Sequence, residues 1–345
     1  MRVLFASAHK YLPELHGGME VNTHQLVARL SRVGLSVGIL AGLMGRGITG
    51  VRAKVQMGLF GRSVCVDKAL GYSVWRAQDS STVAADVAEL FQPDIVVVQG
   101  GLKFLTLVHC FRRLGLPVIG YLHSADRLPL DDALQVDQRL SFIANSRFTA
   151  SLHPEKRIVA ILPPILPREL YATETDRSSA IFVNPVPYKG LSIVMSMAEA
   201  RPYVPFLFVS NGSARSGAHR TTANITRLGP IRDMRKVYRR ARIVLVPSQC
   251  DETWGRTVSE AHISGIPVLA SARGGLPESV GSGGVCLPNG APASTWVSKF
   301  SEIWDSQRDY QNLSKAALEF SLRRELNPKG VVKELIGILE DHAQA

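Results

Sequence analysis

The sequence predicts an α/β protein built from two doubly wound, Rossmann-like parallel-sheet domains. Three observations carry that expectation. Short apolar runs rich in β-branched residues alternate with segments of helical period along the chain. The alternation pauses once, from Pro163 to Ser179, where Pro163, Pro164 and Pro167 give way to a polar run, and then restarts. Residues 243–270 read as strand, loop, helix and strand, a unit that needs a crossover connection in a parallel sheet. The expected divisions are 1–165 for the first domain, 166–327 for the second and 328–345 for a closing helix.

Residues 3–7 read as the first strand. The loop after it ends in His16-Gly17-Gly18, and a helix follows with Val21, Leu26, Val27 and Leu30 on one side. A glycine pair at a strand-to-helix turn lets the backbone approach a ligand closely, as a phosphate requires. Residues 35–40 are the second strand. The segment from Gly45 to Gly50 then matches GxGxxG in form. A dinucleotide site needs that pattern in the first strand–helix turn, with an acid about twenty residues on. Here Gly17-Gly18 already holds the first turn and Asp67 follows no clear strand, so the segment reads as a flexible loop. Helices at 82–91, 104–114 and 147–152 and strands at 95–98, 118–122 and 158–162 complete the half. His123 stands just past the strand at 118–122, on the edge where parallel sheets bind ligands.

The second half opens with a strand at 180–183, a helix at 191–198 and a strand at 206–209, followed by a turn at Ser210-Asn211-Gly212. Lys189 and Gly190 follow the first of these strands, where an ammonium suits a phosphate. A basic helix at 233–241 precedes the central unit, and helices at 294–302, 309–323 and 328–343 close the chain. Within the central unit residues 249–255 form a polar loop, and a helix runs from Arg256 to Ser264 with Gly265 placed as its left-handed terminator. Glu252 falls at the loop tip and Glu260 about a turn inside the helix. Carboxylates accept well from paired sugar hydroxyls and sit poorly beside phosphates. One pocket could therefore engage two parts of an elongated, hydroxyl-rich ligand.

The string Pro247-Ser248, Glu252-Thr253-Trp254-Gly255-Arg256, Glu260-Ala261, Gly265-Ile266-Pro267-Val268, closing on Gly274-Gly275-Leu276-Pro277-Glu278, resembles the nucleotide-sugar site of glycosyltransferase family 4, of the GT-B fold class. The resemblance extends over nearly the whole chain. It implies two domains facing one cleft, a donor-binding second domain, an acceptor-side first domain and a last helix that crosses back onto the first. It further implies that Glu260 holds the donor ribose and that Glu252 meets hydroxyls of the transferred sugar. Trp254, Gly255 and Arg256 belong to the same donor site, and Gly274-Gly275 closes over it. Gly17-Gly18 with Glu20 resembles the family's GG-x-E start, which faces the donor diphosphate, and His123 matches a histidine that contacts the donor sugar. Lys189-Gly190 matches a phosphate-binding pair, but the arginine that accompanies it is replaced by Asn184 and Pro185. Arg256 and Arg147 are candidates to balance the remaining charge.

The implied reaction moves a glycosyl unit from a nucleotide-diphosphate sugar to an acceptor hydroxyl with retention of configuration. The expected catalytic residues are Glu252, Lys189 and His123, with catalysis resting on stabilisation of the leaving diphosphate. No cofactor beyond the donor is expected. The chain has no D-x-D pair, so no metal is expected either. Two readings stand as alternatives: a nucleotide-sugar epimerase of the same fold, and a non-catalytic two-lobed sugar-binding protein.

The chain carries a net charge of +11, shared about evenly between its halves. That suits anionic small ligands or an anionic surface. Aromatic and basic residues are not interleaved as in nucleic-acid binders, so no nucleic-acid partner is expected. The four cysteines are scattered, no run of eighteen apolar residues occurs, and the N-terminus lacks a signal-type apolar core. The expected setting is cytoplasmic. Between Val21 and Val66 there is no Asp or Glu, while Ile48, Val51, Val55 and Leu59 recur at helical spacing among Arg46, Arg52, Lys54 and Arg62. That pattern fits an interfacial amphipathic helix on an anionic inner membrane face, which would suit a glycan or lipid-linked acceptor. Gly50 and Gly58 interrupt it, and the sequence favours a solvated loop with its apolar side chains tucked into the domain.

Overall fold

The computed structural model describes residues 1–125, 140–153, 157–210 and 222–344. The chain divides into two compact units, Met1–Ile165 with Pro328–Ala345, and Leu166–Asn327.

The first unit is built on an eight-stranded sheet: β1 (Arg2–Lys10), β2 (Ser36–Gly42), β3 (Val64–Asp67), β4 (Ser73–Ala77), β5 (Ile95–Gln99), β6 (Val118–Leu122), β7 (Ser141–Ala144) and β8 (Ile158–Ile161). The spatial order is β3-β4-β2-β1-β5-β6-β7-β8, with β3 antiparallel to β4 and the other pairs parallel. Successive residues of β1 face opposite ways, as a pleated strand requires. Val3 and Phe5 pack with Leu26, Val27 and Leu30 of α1 (Gly18–Arg32) and with Val331, Leu335 and Leu339 of the C-terminal helix Pro328–Ala343. Leu4 and Ala6 pack on the other face, against helices that include Ala84–Phe91 and Phe104–Arg113. Both faces are thus covered, which is why these strands are apolar throughout instead of alternating.

The second unit holds a six-stranded parallel sheet: β9 (Ser179–Val183), β10 (Phe206–Val209), β11 (Ile225–Leu228), β12 (Ala241–Val246), β13 (Val268–Ser271) and β14 (Gly284–Leu287), in the order β11-β10-β9-β12-β13-β14. One face packs on Val258 and Ala261, the other on Val194, Met197, Trp296 and Phe300. The chain runs outward from β9 to β11, returns beside β9 as β12 and runs the other way to β14. The winding therefore reverses between β9 and β12, and such a reversal leaves a crevice at the carboxyl ends of the strands. In the first unit the same reversal falls between β1 and β5.

Several elements differ from the sequence expectation. The GxGxxG segment is not a loop but the start of a 14-residue helix, α2 (Gly47–Phe60). Gly45 (φ +76°) and Gly47 (φ +65°) curl the backbone so that the N–H groups of Gly45 and Arg46 donate to Glu14 Oε1 at 2.6 and 3.1 Å. Such a turn is an anion nest, and the anion is the protein's own. Glu14 lies 3.6 Å from the buried guanidinium of Arg76, which also pairs with Asp67 at 2.6 Å. Asp67 lies on strand β3, where no strand was expected. The basic helix shrinks to Arg235–Tyr238 because the buried strand β12 already begins at Ala241. Strands β11 and β14 and the short helix Arg168–Tyr171, inside the expected linker, were not anticipated. Asn211 and Gly212, expected to form a turn, lie outside the described residues. Among the described residues no helix is long and apolar enough to cross a membrane.

Candidate active site

The winding reversal in the second unit brings together the loops after β9, β12 and β13, and these carry most of the expected donor-site residues. After β9 the chain makes a tight 3-10 turn, Pro187–Lys189, closed by Gly190 at φ +86°. A Cβ on Gly190 would lie 2.0 Å from the carbonyl oxygen of Pro247, so only glycine lets this turn press on the loop after β12. Gln249 N–H donates to Tyr188 O at 2.8 Å and completes the contact.

That contact places Lys189 beside Glu252. The Lys189 ammonium is ion-paired with Glu252 Oε1, and Ser248 Oγ donates to the same oxygen at 2.7 Å. Ser248 is itself fixed, since its carbonyl accepts from Ser271 Oγ at the end of β13. Both partners of the pair are partly open to solvent. A cation for a phosphate and an acceptor for hydroxyls thus stand side by side.

The glycine pair after β13 locks the Glu252 loop from the other side. Gly275 N–H donates to Glu252 O at 2.6 Å, and Glu252 and Gly274 form a parallel bridge. A Cβ on Gly274 (φ +58°) would sit 2.3 Å from Glu252 O, and one on Gly275 2.3 Å from Thr253 O. These glycines act on the backbone that carries the carboxylate.

Glu260 lies on the helix Arg256–His262 and is only 9% exposed. Its Oε2 accepts from the Tyr238 hydroxyl at 2.8 Å, and its Oε1 is 3.5 Å from Arg256 Nε. Burial and the charge of Glu260 push the Tyr238 hydroxyl well above its ordinary value, so it remains a donor. Arg256 also donates to Tyr171 OH at 3.0 Å. Gly255 opens the helix at φ +83°, and a Cβ there would be 2.5 Å from Leu276. Trp254 was grouped with the donor contacts by its place in the motif. Its side chain is instead 2% exposed, and its indole N–H donates to Ser259 Oγ at 2.9 Å. The indole packs the loop onto the helix and offers no edge to a ligand. Tyr238 escaped sequence reading, and Ser248 stood in the motif without a role, since nothing marks a tyrosine or serine as the partner of a carboxylate.

In the first unit the expected residues follow β1, β6 and β7. Gly17 precedes α1, and the Glu20 carboxylate folds back onto the N–H groups of Gly17 and Glu20, as in a capping box. A Cβ on Gly17 would meet Glu20 Oε2 at 2.3 Å. Burial raises the Glu20 carboxyl to about 7, against the lowering effect of those two N–H groups. Gly18 is the first residue of α1. His123 follows β6 with its ring 4.0 Å from that of Tyr121, centroid to centroid. Its Nε2 is buried without a hydrogen-bond partner, and burial, with His9 nearby, lowers its pKa to about 3. It is a neutral imidazole. Arg147 begins a short helix of this unit. Among the described residues no group of three or more His, Cys, Asp or Glu converges as metal ligands would.

The profile of the glycosyl transferases group 1 family matches residues 191–306, which carry Glu252, Glu260, Gly274 and Gly275. Residues 191–306 are thus similar to group 1 glycosyl transferases, and the architecture is a GT-B fold. The fold is supported by solved structures that align over nearly the whole length. A glycosyltransferase from Rickettsia africae has a TM-score of 0.76 at 13% identity, covering 99% of this chain and 98% of that one. The Anabaena protein HepE, crystallised with UDP and glucose, has a TM-score of 0.75 at 18% identity, covering 99% and 100%. Among curated relatives, the D-inositol 3-phosphate glycosyltransferase of Mycolicibacterium smegmatis is 29% identical over 213 residues, 56% of this chain and 48% of that protein. The enzyme of that name from Mycobacteroides abscessus is 32% identical over 174 residues, 45% and 39%. The chain spans about half the length, or less, of these curated relatives. Within residues 191–306, the helix Arg256–His262 and the Gly274-Gly275 turn are the parts that hold the two carboxylates in place.

Proposed function

We propose that this protein is a glycosyltransferase that moves a sugar from a nucleotide-diphosphate sugar to an acceptor hydroxyl, with retention of anomeric configuration. The observation that carries this reading is the pair Lys189–Glu252 at the winding reversal of the second unit. In the ligand-free state each group satisfies the other. A donor diphosphate takes over the Lys189 ammonium, which frees Glu252 to accept from hydroxyls of the sugar. The same ammonium then meets the charge that grows on the departing diphosphate, a role in which one lost contact costs on the order of 10²-fold or more in kcat. Glu260, reached through the same loop–helix unit, accepts from the ribose, with Arg256 beside it as a second cation. Ser248 and Tyr238 position the two carboxylates. On the same reading the Gly17-Gly18 turn and neutral His123 are donor-side groups, the first for the diphosphate and the second for the sugar.

The UDP and glucose bound by HepE and the name shared by the curated relatives support UDP-sugars as the first donors to try and a polyol phosphate among the first acceptors. A glycan or lipid-linked hydroxyl is the other acceptor class, and it agrees with peripheral placement on an anionic membrane.

Incubation with labelled UDP-, GDP-, ADP- and dTDP-sugars tests the reading. Nucleotide release that depends on an added acceptor, with label in a glycosylated product, is the expected result. Release or isomerisation without acceptor would make the protein an epimerase, and binding without turnover a sugar-binding protein.

A further inference from the structure

Helix α2 carries an apolar stripe that its own unit leaves bare. Gly50 and Ala53 are buried and Met57 half-buried, turned toward Leu43 and Cys65. Ile48, Val51, Val55 and Leu59 follow one another at spacings of three and four residues on another side of the helix. Ile48 is 91% and Leu59 76% exposed, and Val51, Val55 and Phe60 are also more than half exposed. Exposed apolar residues scattered singly are ordinary, but a contiguous stripe marks a surface that something covers.

The charge around the stripe says what kind of surface covers it. Arg46, Arg52, Lys54 and Arg62 are all exposed, and no Asp or Glu lies between Val21 and Val66. The nearest acids are each engaged by a partner, including Asp79, which shares a groove with Lys54 and Arg62. Glu14 is held on the N–H groups of Gly45 and Arg46, Asp67 is paired with Arg76, and Asp79 is paired with Lys103. Arg62 stacks over the Phe60 ring at 5.7 Å, which fixes a cation at the C-terminal end of the helix. A second copy of the chain would set these cations against their own kind. A helix of this length, about 21 Å, is too short to span a bilayer core of about 30 Å.

We propose that α2 is a docking element for an anionic lipid bilayer. The helix lies in the plane of the interface, with Ile48, Val51, Val55 and Leu59 entering the acyl boundary. Arg46, Arg52, Lys54 and Arg62 rest among the phosphate headgroups. The inference does not depend on the transferase reading.

The test is co-sedimentation of the full chain with vesicles of phosphatidylcholine alone and of equal parts phosphatidylcholine and phosphatidylglycerol, at low and high salt. Recovery with the anionic vesicles only, reversed by salt, is expected. The combined variant Ile48→Asn, Val51→Asn and Leu59→Asn changes exposed positions only and should keep the wild-type melting temperature. It should lose at least about tenfold in partitioning, and Arg52→Glu with Lys54→Glu a comparable amount. If the triple variant melts early, Ile48→Asn alone is read instead. Equal recovery with both lipids, no recovery with either, or undiminished binding by the variants overturns the proposal. So does a lipid-free dimer that the apolar variant dissociates.

Discussion

Lys189 and Glu252, sixty-three positions apart in sequence, form an ion pair at the carboxyl ends of adjacent strands β9 and β12. The pair exists because Gly190 lets its turn press against Pro247, and because Ser248 holds the shared oxygen. Two groups that the family resemblance assigns to different parts of the donor thus neutralise each other in this structure.

Glu252→Gln should abolish turnover while leaving free-nucleotide affinity nearly intact, since the proposed role of this side chain is toward the sugar and not the nucleotide. Glu260→Ala should weaken nucleotide binding and also cost about 1–3 kcal/mol of stability, because the buried Tyr238 hydroxyl loses its acceptor. Glu260→Gln should recover most of the stability but little of the binding. Calorimetric titration with free UDP and GDP separates these effects. Equal affinity losses at positions 252 and 260 would contradict the division of roles.

Gly274→Ala should act on Glu252 without touching the ligand. The added methyl at φ +58° would lie 2.3 Å from Glu252 O, so the backbone must shift. About 1–3 kcal/mol of destabilisation is expected, with transfer falling more than stability explains. A variant with wild-type melting and wild-type turnover would show that the Gly274 turn does not set the carboxylate.

Glu20 gives the protein a pH dependence of definite sign. Its carboxyl is raised to about 7 in the folded state, from 4.5. Between those values the folded form binds more protons than the unfolded form, so stability falls as pH rises through this window. The loss is complete above pH 7 and amounts to about 3 kcal/mol. Glu20→Gln should remove that slope and gain most on wild type at pH 8. Parallel stability–pH curves for the two proteins, from urea unfolding, would contradict the buried assignment.

His123 should stay neutral through the working range, because its pKa is lowered to about 3. Its ring resonances should not titrate between pH 5 and 8, and His123→Ala should reduce transfer by the same factor at both ends of that range. Titration near pH 6.5 would return the imidazole to solvent.

Much of this was legible in the sequence. The strand–loop–helix–strand unit, the carboxylates at its two depths and the terminator Gly265 (φ +64°) follow from period, composition and glycine placement. What escaped has physical causes. Strands β3, β11 and β14 are four-residue strands with little full burial, so their residues carry no clear apolar signature. Helix α2 reads as a loop because Gly45, Gly47, Gly50 and Gly58 crowd it. Gly50 is required by Glu14, whose Oε1 a Cβ there would meet at 2.1 Å, a contact made only in three dimensions. Trp254 sits in a ligand motif yet is used for packing, which only burial reveals. The Lys189–Glu252 pair depends on the β9–β12 register and is invisible along the chain.

The central claim is that Lys189 and Glu252 work as one donor-handling unit, and a double-mutant cycle on transfer tests it most directly. Acceptor-dependent release of nucleotide from a labelled UDP-sugar is measured for wild type, Lys189→Met, Glu252→Gln and the double variant. Each single change should lower kcat by on the order of 10²-fold or more, and the double variant should be little worse than either. Single variants that transfer at the wild-type rate, or losses that simply multiply, would contradict it.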